Sequence, residues 1–230
     1  RQKEAKTLLN LGSVSNYKGE YGQDRNYQKQ ALEIIHELGD KWVEAEALNQ
    51  LGMYLMEAFI YGDAMFNLEH ALELNREINF RNGEGCVLGN LGLLHIRMGA
   101  FDRGRVYHQQ SLGILLEIDN LENLSIVYGN LALLEHHIGD NTLALDHAQR
   151  GVELAVETDN RRAQAYTLTS QGHALFGLER QEDAFNAYHQ AASLWRELGK
   201  FSLLLEPLAG MVRVNMARSE FNQAISTVEE

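Results

Sequence analysis

Polar side chains recur at forty-residue steps along the chain, and their chemistry suits contact with a peptide backbone. The column contains Asn10, Gln50, Asn90, Asn130, Ser170 and Gly210. A carboxamide both donates and accepts hydrogen bonds, so a row of carboxamides can pair with the main chain of an extended peptide whatever its side chains are. The alternative is that these amides cap or bridge neighbouring helices. We expect the first of these two roles.

Apolar side chains, with few charges, accompany the amide column. The positions beside it carry Met53, Leu93 and Leu133 in three successive rows of forty, and this pattern indicates a mostly apolar surface. The same residues could instead be ordinary packing between rows. The candidate peptide-binding residues are Asn10, Asn49, Gln50, Met53, Asn90, Leu93, Arg97, Asn130, Leu133, His173, Phe176 and Arg213.

Metal-binding and catalytic patterns are weak or missing. His136 and His137 are adjacent, and adjacent residues of a helix point about 100° apart, so they do not easily share an ion. His173 lies one row away and could approach His136. The sequence contains no phosphate-binding glycine loop, no His-Glu-x-x-His and no nucleophile elbow. We therefore predict a protein that is not an enzyme and has no cofactor or metal site.

A repeated Leu-Gly pair predicts the helices that carry the candidate binding residues. Each row of forty begins with a helical stripe, because apolar residues recur at three- and four-residue offsets. Glycine costs a helix interior about 1 kcal/mol relative to alanine, so its recurrence at one place predicts a second helix passing close by. The pair and its substitutes are Leu11-Gly12, Leu51-Gly52, Leu91-Gly92, Leu131-Ala132, Gln171-Gly172 and Met211-Val212.

A second helix follows in every row, with small residues at fixed places such as Ala64 and Ala71. Gly19, Gly99 and Gly139 are expected to end first helices as left-handed caps. Asp40, Asn120 and Asn160 are expected to cap the start of the next first helix. The prediction is an all-α solenoid of stacked helix hairpins, forming a single array over residues 1–230. The rows are 1–40, 41–80, 81–120, 121–160, 161–200 and a partial sixth at 201–230.

Charge and composition narrow the partners. The chain has 20 Lys and Arg against 32 Asp and Glu, a formal charge of −12, which opposes binding to nucleic acid or to an anionic membrane. Its single cysteine, Cys86, permits no intrachain disulfide, and a cytoplasmic location is expected. The chain starts at Arg1 and stops inside a helical pattern, so we expect a piece of a longer protein. Self-association through uncapped ends is a further expectation.

These columns resemble tetratricopeptide repeats. The Leu-Gly pair, the small residue twelve positions beyond the glycine and the small residue seven after that match the signature of this family in most rows. The forty-residue length is similar to the longer variety in Pins-type polarity adaptors, kinesin light chains and bacterial signalling regulators. The resemblance implies that the first helices line a concave wall where ligands lie. The lysine and asparagine cluster of the chaperone-binding members is missing, so that activity is not expected.

Two functions follow from this resemblance and from the amide column. The first is a non-catalytic scaffold that binds a peptide segment of another protein, or of another domain of the parent chain, along the first helices. The second is a regulatory or sensor module of a multidomain bacterial signalling or transcriptional regulator that binds a small effector.

Overall fold

The described part of the chain is helical. The computed structural model describes residues 1, 3–5, 7, 8, 11 and 21–229. Over residues 21–229 every element is a helix, and the predicted all-α class is confirmed. No helix of this part is both long and apolar enough to cross a membrane. The helices are α1 (Tyr21–Leu38), α2 (Lys41–Glu57), α3 (Tyr61–Glu77), α4 (Arg81–Arg97), α5 (Phe101–Glu117), α6 (Leu121–Ile138), α7 (Asn141–Glu157), α8 (Arg161–Gly177), α9 (Gln181–Glu197), α10 (Phe201–Ala217) and α11 (Phe221–Glu229).

The turns between the helices share one geometry. Residues with positive φ recur at twenty-residue steps from Gly39 to Ser219, so both turns of each row use a left-handed residue. After the first helix of a row, the amide of Ile60 donates to the carbonyl of Leu55, and later turns repeat this bond five residues apart. This is the Schellman ending of a helix, which satisfies the last carbonyls. The predicted caps Gly99 and Gly139 are confirmed, while Gly19 lies outside the described residues.

Side-chain caps start several first helices. The Asp40 carboxylate accepts from the amides of Trp42 and Val43, at 3.1 and 3.3 Å. The side-chain oxygens of Asn120 and Asn160 each accept from the amide three residues on, at 3.0 Å. The three predicted N-caps are therefore confirmed, and each satisfies a donor that the helix leaves unpaired.

The hairpins stack within two compact units, residues 1–114 and 115–230, which divide inside α5. In unit 1, α3 packs on α2, and α4 contacts both of them. In unit 2, α6 pairs with α7, α8 with α9 and α10 with α11, while the first helices α6, α8 and α10 contact one another in order. The predicted α-solenoid class is confirmed by these consecutive packed pairs. A single array over the whole chain stays a prediction.

On α2, α4 and α8, a glycine lets a large side chain of the following second helix reach the backbone of the first helix. A Cβ added at Gly52 would lie 2.6 Å from the Leu68 side chain, and one added at Gly92 would lie 2.7 Å from the His108 ring. The predicted close approach of a second helix is therefore confirmed. In unit 2 the same column pairs Gly172 with Tyr188, again with less than 3.0 Å for a Cβ. The small residue of one helix and the large residue of the other form an interlocking pair.

His108 is the unusual member of this column in unit 1. Its side chain is fully buried, and neither ring nitrogen has a hydrogen-bond partner among the described residues. Burial lowers the pKa of His108 to about 3, because the charged imidazolium would lose its hydration. At the same place in the preceding row, the sequence has Leu68. His108 therefore acts in the folded chain as a neutral, space-filling ring.

Replacement of Glu179 by glycine should stabilise the chain. Glu179 is exposed and has a φ of 62° in the turn between α8 and α9, where a side chain costs about 1 kcal/mol. Because glycine also loses more backbone entropy on folding, the expected net gain for Glu179→Gly is about 0.5 kcal/mol. Urea unfolding monitored by circular dichroism measures the change. The control Glu182→Gly, in the first turn of α9, should instead lower stability, because an acidic side chain is favourable at a helix N-terminus. A loss of stability in Glu179→Gly would contradict this account of the turn.

Replacement of His108 by leucine should remove an acid-sensitive loss of stability. The folded-state pKa lies below that of the unfolded chain, so only the unfolded chain takes up the proton as the pH falls from about 6.5 towards about 3. The native protein should thus lose about 2 kcal/mol from this group between pH 7.5 and pH 5. His108→Leu should lack this loss, and urea unfolding at the two pH values measures it. The control is exposed His189→Leu. Equal pH dependence of His108→Leu and the native chain would refute the prediction.

Candidate functional site

In unit 1, two amides of the candidate site bond to each other. The side-chain amide of Asn90 on α4 donates to the side-chain oxygen of Asn49 on α2, at 2.8 Å. The next residue, Gln50, is exposed and donates to Glu46 on its own helix, at 3.2 Å. Asn49 and Asn90 therefore bridge two neighbouring helices, as in the alternative role considered for these amides. Asn10 lies outside the described residues.

The apolar candidates of unit 1 lie at the margin of its core. Met53 and Leu93 are half-buried and pack against the buried cluster that contains Leu51 and Leu91. Arg97 is exposed at the end of α4. These positions combine packing with partial exposure, so the geometry allows both roles that the sequence left open.

In unit 2, Asn130 of α6 is held by a tyrosine of the next first helix. Asn130 is only 2% exposed, and its side-chain oxygen accepts a hydrogen bond from the hydroxyl of Tyr166 on α8, at 2.5 Å. A Cβ at the preceding Gly129 would lie 3.0 Å from the same aromatic ring, so the absent side chain leaves room for Tyr166. Tyr166 was missed by the sequence analysis, because its column holds Cys86 and Ile126 in the rows above.

The candidates His173 and Arg213 meet in a polar network that the sequence analysis did not assemble. We call it the His173 cluster, and it consists of His136, Asn141, His173, Tyr188, Glu206 and Arg213. These residues come from α6, α7, α8, α9 and α10 in turn. Glycines make room for its central ring: a Cβ at Gly172 or at Gly210 would lie 2.5 Å from Tyr188. Tyr188 can thus reach the first helices through the interlocking column.

Hydrogen bonds fix the tautomer of His173. Its Nδ1 accepts from the hydroxyl of Tyr188 at 2.8 Å and from the guanidinium of Arg213 at 3.3 Å. An imidazole nitrogen that accepts carries no proton, so the proton of the neutral ring is on Nε2. This Nε2 lies 3.4 Å from the carboxylate of Glu206, which is also 3.5 Å from Arg213. The ring is therefore oriented from both sides.

Burial sets the protonation of the cluster at neutral pH. It lowers the pKa of His173 to about 3, and the neighbouring Arg213 charge acts in the same direction. Burial also raises the pKa of Tyr188 to about 12, so its hydroxyl keeps the proton that it donates. His173 is flanked by two charged side chains, Arg213 and Glu206, which are 48% and 61% exposed.

A second histidine stacks on the first, as the sequence analysis considered. The rings of His136 and His173 are nearly parallel, with centroids 5.5 Å apart. The Nδ1 of His136 donates to the side-chain oxygen of Asn141, at 2.7 Å. Among the described residues, no group of three His, Cys, Asp or Glu side chains is placed to hold a metal ion.

The remaining candidates of unit 2 lie beside this cluster or apart from it. Phe176, half-buried one helical turn beyond His173, packs against the core that contains Tyr188. Leu133 is half-buried on α6. The cluster itself could have been suspected from one signal, the large residue sixteen positions after each Gly of the Leu-Gly pair, which is polar at His108 and Tyr188.

Comparison with known proteins agrees with this architecture. Residues 83–157 match the sequence profile of the family described as tetratricopeptide repeat. No curated protein sequence matches the chain. Among solved structures, BtubC from P. vanneervenii is 16% identical, with a TM-score of 0.70, over 88% of this chain and 85% of that one.

Two further structures are similar in fold. The Rap conjugation gene regulator of plasmid pLS20, solved with the Phr* peptide, is 15% identical, with a TM-score of 0.77, over 96% of this chain and 62% of that one. NprR, solved with its cognate peptide NprX, is 13% identical, with a TM-score of 0.71, over 98% of this chain and 65% of that one. The chain thus spans less than two thirds of the length of these two proteins.

The predicted kinship with the longer, forty-residue variety stays a prediction. Residues 83–157 thus match the tetratricopeptide-repeat family, and the repeated hairpin with its close approach at the glycines is similar in fold to these solved structures.

Proposed function

We propose that the chain is a non-catalytic protein-interaction module whose first helices hold a peptide segment of a partner protein. The observation that carries the proposal is the His173 cluster, a hydrogen-bonded network that joins buried groups of unit 2 to two half-exposed charges. Arg213 and Glu206 are its exposed ends. A network with a rigid buried part and an open end is suited to binding, because little side-chain freedom remains to be lost when a ligand arrives.

The guanidinium of Arg213 has N–H donors left for hydrogen bonds to a bound peptide. A guanidinium has five N–H donors, and the contacts of Arg213 in the cluster are long, at 3.3 Å to His173 and 3.5 Å to Glu206. A main-chain carbonyl or a carboxylate of a bound segment can accept from the remaining donors. Met216 lies one helical turn further along α10, with 51% of its surface exposed, and offers an apolar contact beside this polar one.

The amide column in unit 1 is proposed as a second part of the peptide contact. The bond between Asn90 and Asn49 uses one N–H of the first residue and the oxygen of the second. Each carboxamide has two N–H donors and one oxygen. Hydrogen-bonding capacity therefore remains on both side chains, next to half-buried Met53 and Leu93.

A regulatory role is the second candidate function. Both the Rap regulator of plasmid pLS20 and NprR were solved with a bound peptide, and both share the fold of this chain. We accordingly propose that a peptide, rather than a small metabolite, is the effector if the chain belongs to a larger regulator. A cytoplasmic location, the absence of nucleic-acid partners and self-association of the array remain predictions.

Replacement of Arg213 should weaken peptide binding. Peptides selected from a random phage library on the whole chain would supply the ligand, and isothermal titration would measure its affinity. We expect Arg213→Ala to lower the affinity about tenfold, the effect of losing about 1.4 kcal/mol of hydrogen bonding. The matched control is Arg150→Ala on α7, which also removes an exposed arginine paired to a glutamate, Glu153. Failure to select any peptide, or equal effects of the two variants, would refute the proposal.

Replacement of Asn90 separates a bridge from a peptide contact. A bridge alone predicts that Asn90→Ala costs about 1 kcal/mol of stability and leaves affinity unchanged. We expect the same loss of stability and, in addition, an affinity about five times lower for the selected peptide. The control Ser111→Ala removes a hydrogen bond between α5 and α4, to the carbonyl of Gly85 at 2.7 Å, away from the amide column. Unchanged affinity of Asn90→Ala would remove this part of the proposal.

A further inference from the structure

A cleft lies on the opposite side of α8 from the His173 cluster. We call it the Gln171 cleft; its rim is formed by the carboxamides of Gln149, Gln171, Asn186 and Gln190, and its floor includes Leu145 and Leu168. Its volume is about 250 Å³. Gln171 and His173 are two residues apart on one helix and therefore point about 160° away from each other. The cleft is thus bounded by α7, α8 and α9 and is separate from the site proposed above.

The cleft lies beside a position where this row has a different residue type from the other rows. Gln171 occupies the leucine position of the Leu-Gly pair. At the same position, Leu51, Leu91, Leu131 and Met211 are buried, with exposures between 0% and 6%. Gln171 is half-buried, and an apolar side chain there would extend the floor that Leu145 and Leu168 already form. A polar residue at a core position without an internal reason marks a functional place more often than a structural one.

The four rim carboxamides make no side-chain hydrogen bond to another described residue, so their donors and acceptors can bind a ligand. The charges at the rim, Arg180 and Asp183, are paired with each other at 2.7 Å. The cleft therefore offers neutral hydrogen-bonding groups above an apolar floor, with no unpaired charge to attract an ion.

We propose that the Gln171 cleft binds one aliphatic residue of an extended peptide together with its adjoining peptide groups. A peptide group has the same donor and acceptor pair as a carboxamide, so the rim complements it. The leucines of the floor complement an aliphatic side chain. A volume of about 250 Å³ is large enough for the side chain of one aliphatic residue and its peptide groups. The proposal gives the protein a second peptide contact, on the face of α8 that bears no part of the His173 cluster.

The probe for this proposal is N-acetyl-leucine amide, a leucine residue between two peptide groups. Titration into the whole chain, labelled at the side-chain nitrogens of Gln and Asn, should shift the signals of Gln171 and Gln190 in a saturable manner. A ligand this small should bind with a Kd on the order of 1 mM. N-acetyl-aspartate amide should bind at least tenfold more weakly, because its charge finds no partner. Tighter binding of free leucine would overturn the proposal in favour of an amino-acid site.

Variants of the rim test the cleft against the rest of the fold. Gln171→Leu restores the residue type of the repeat, so it should raise the midpoint of thermal unfolding and abolish binding of the probe. Gln190 lies at the exposed rim, and Gln190→Ala should weaken binding of the probe about threefold without changing the midpoint of thermal unfolding. This variant keeps the test valid if the core repacks around Gln171→Leu. Gln164→Leu, on α8 outside the cleft, is the matched control. Unchanged probe affinity in both rim variants would refute the proposal.

The proposals for the cleft and for the His173 cluster can be tested independently of each other. Arg213→Ala should leave binding of N-acetyl-leucine amide unchanged, and Gln171→Leu should leave unchanged the affinity for those phage-selected peptides that Arg213→Ala weakens. Loss of probe binding in Arg213→Ala would mean that the probe occupies the first-helix site, and the separate cleft would be disproved.

Discussion

The close approach of the two helices in each hairpin is the constraint on which the other features depend. A glycine on the first helix removes the only side chain that would hold the helices apart, and a large residue of the second helix fills the space. Gly52 with Leu68, Gly92 with His108 and Gly172 with Tyr188 are three occurrences of one arrangement. Because glycine weakens a helix by about 1 kcal/mol, packing must supply more than this in each of these three rows. The rows can then repeat with turns of only two or three residues between helices.

This constraint also explains where polar chemistry enters a core built for apolar contacts. The large residue of the interlocking pair points from the second helix through to the first. The apolar side chain of Leu68 only fills the space. Tyr188 fills the same space, and its hydroxyl donates a hydrogen bond to His173. His108 takes the same route, but neither of its nitrogens has a hydrogen-bond partner among the residues that the structure describes. The same backbone arrangement therefore places a buried, acid-sensitive histidine, His108, in unit 1 and the central tyrosine of a hydrogen-bonded network, Tyr188, in unit 2.

Helix α8 combines two different departures from the repeat. On one face His173 links the buried Tyr188 to the half-exposed Arg213 and Glu206. On the other face Gln171 stands where four other rows have a buried leucine or methionine, and a cleft of about 250 Å³ is found there. In a repeat protein the common positions maintain stacking, so the row that differs is where a specific ligand can be distinguished. His173 of the first proposed contact and Gln171 of the second both belong to this row.

The sequence by itself determined the helix hairpin, its forty-residue period, the close approach at the glycines and the caps at Asp40, Asn120 and Asn160, because each of these is a local or periodic property. It also placed His136 and His173 one row apart. Only the tertiary structure decided which polar groups meet. Tyr166 reaches Asn130 and Tyr188 reaches His173 from positions 36 and 15 residues away, through side-chain rotamers and helix contacts that no column records. Spacing along the chain fixes which face a residue occupies, whereas hydrogen bonds across helices depend on distances of a few tenths of an ångström, and these exist only once the hairpins are packed.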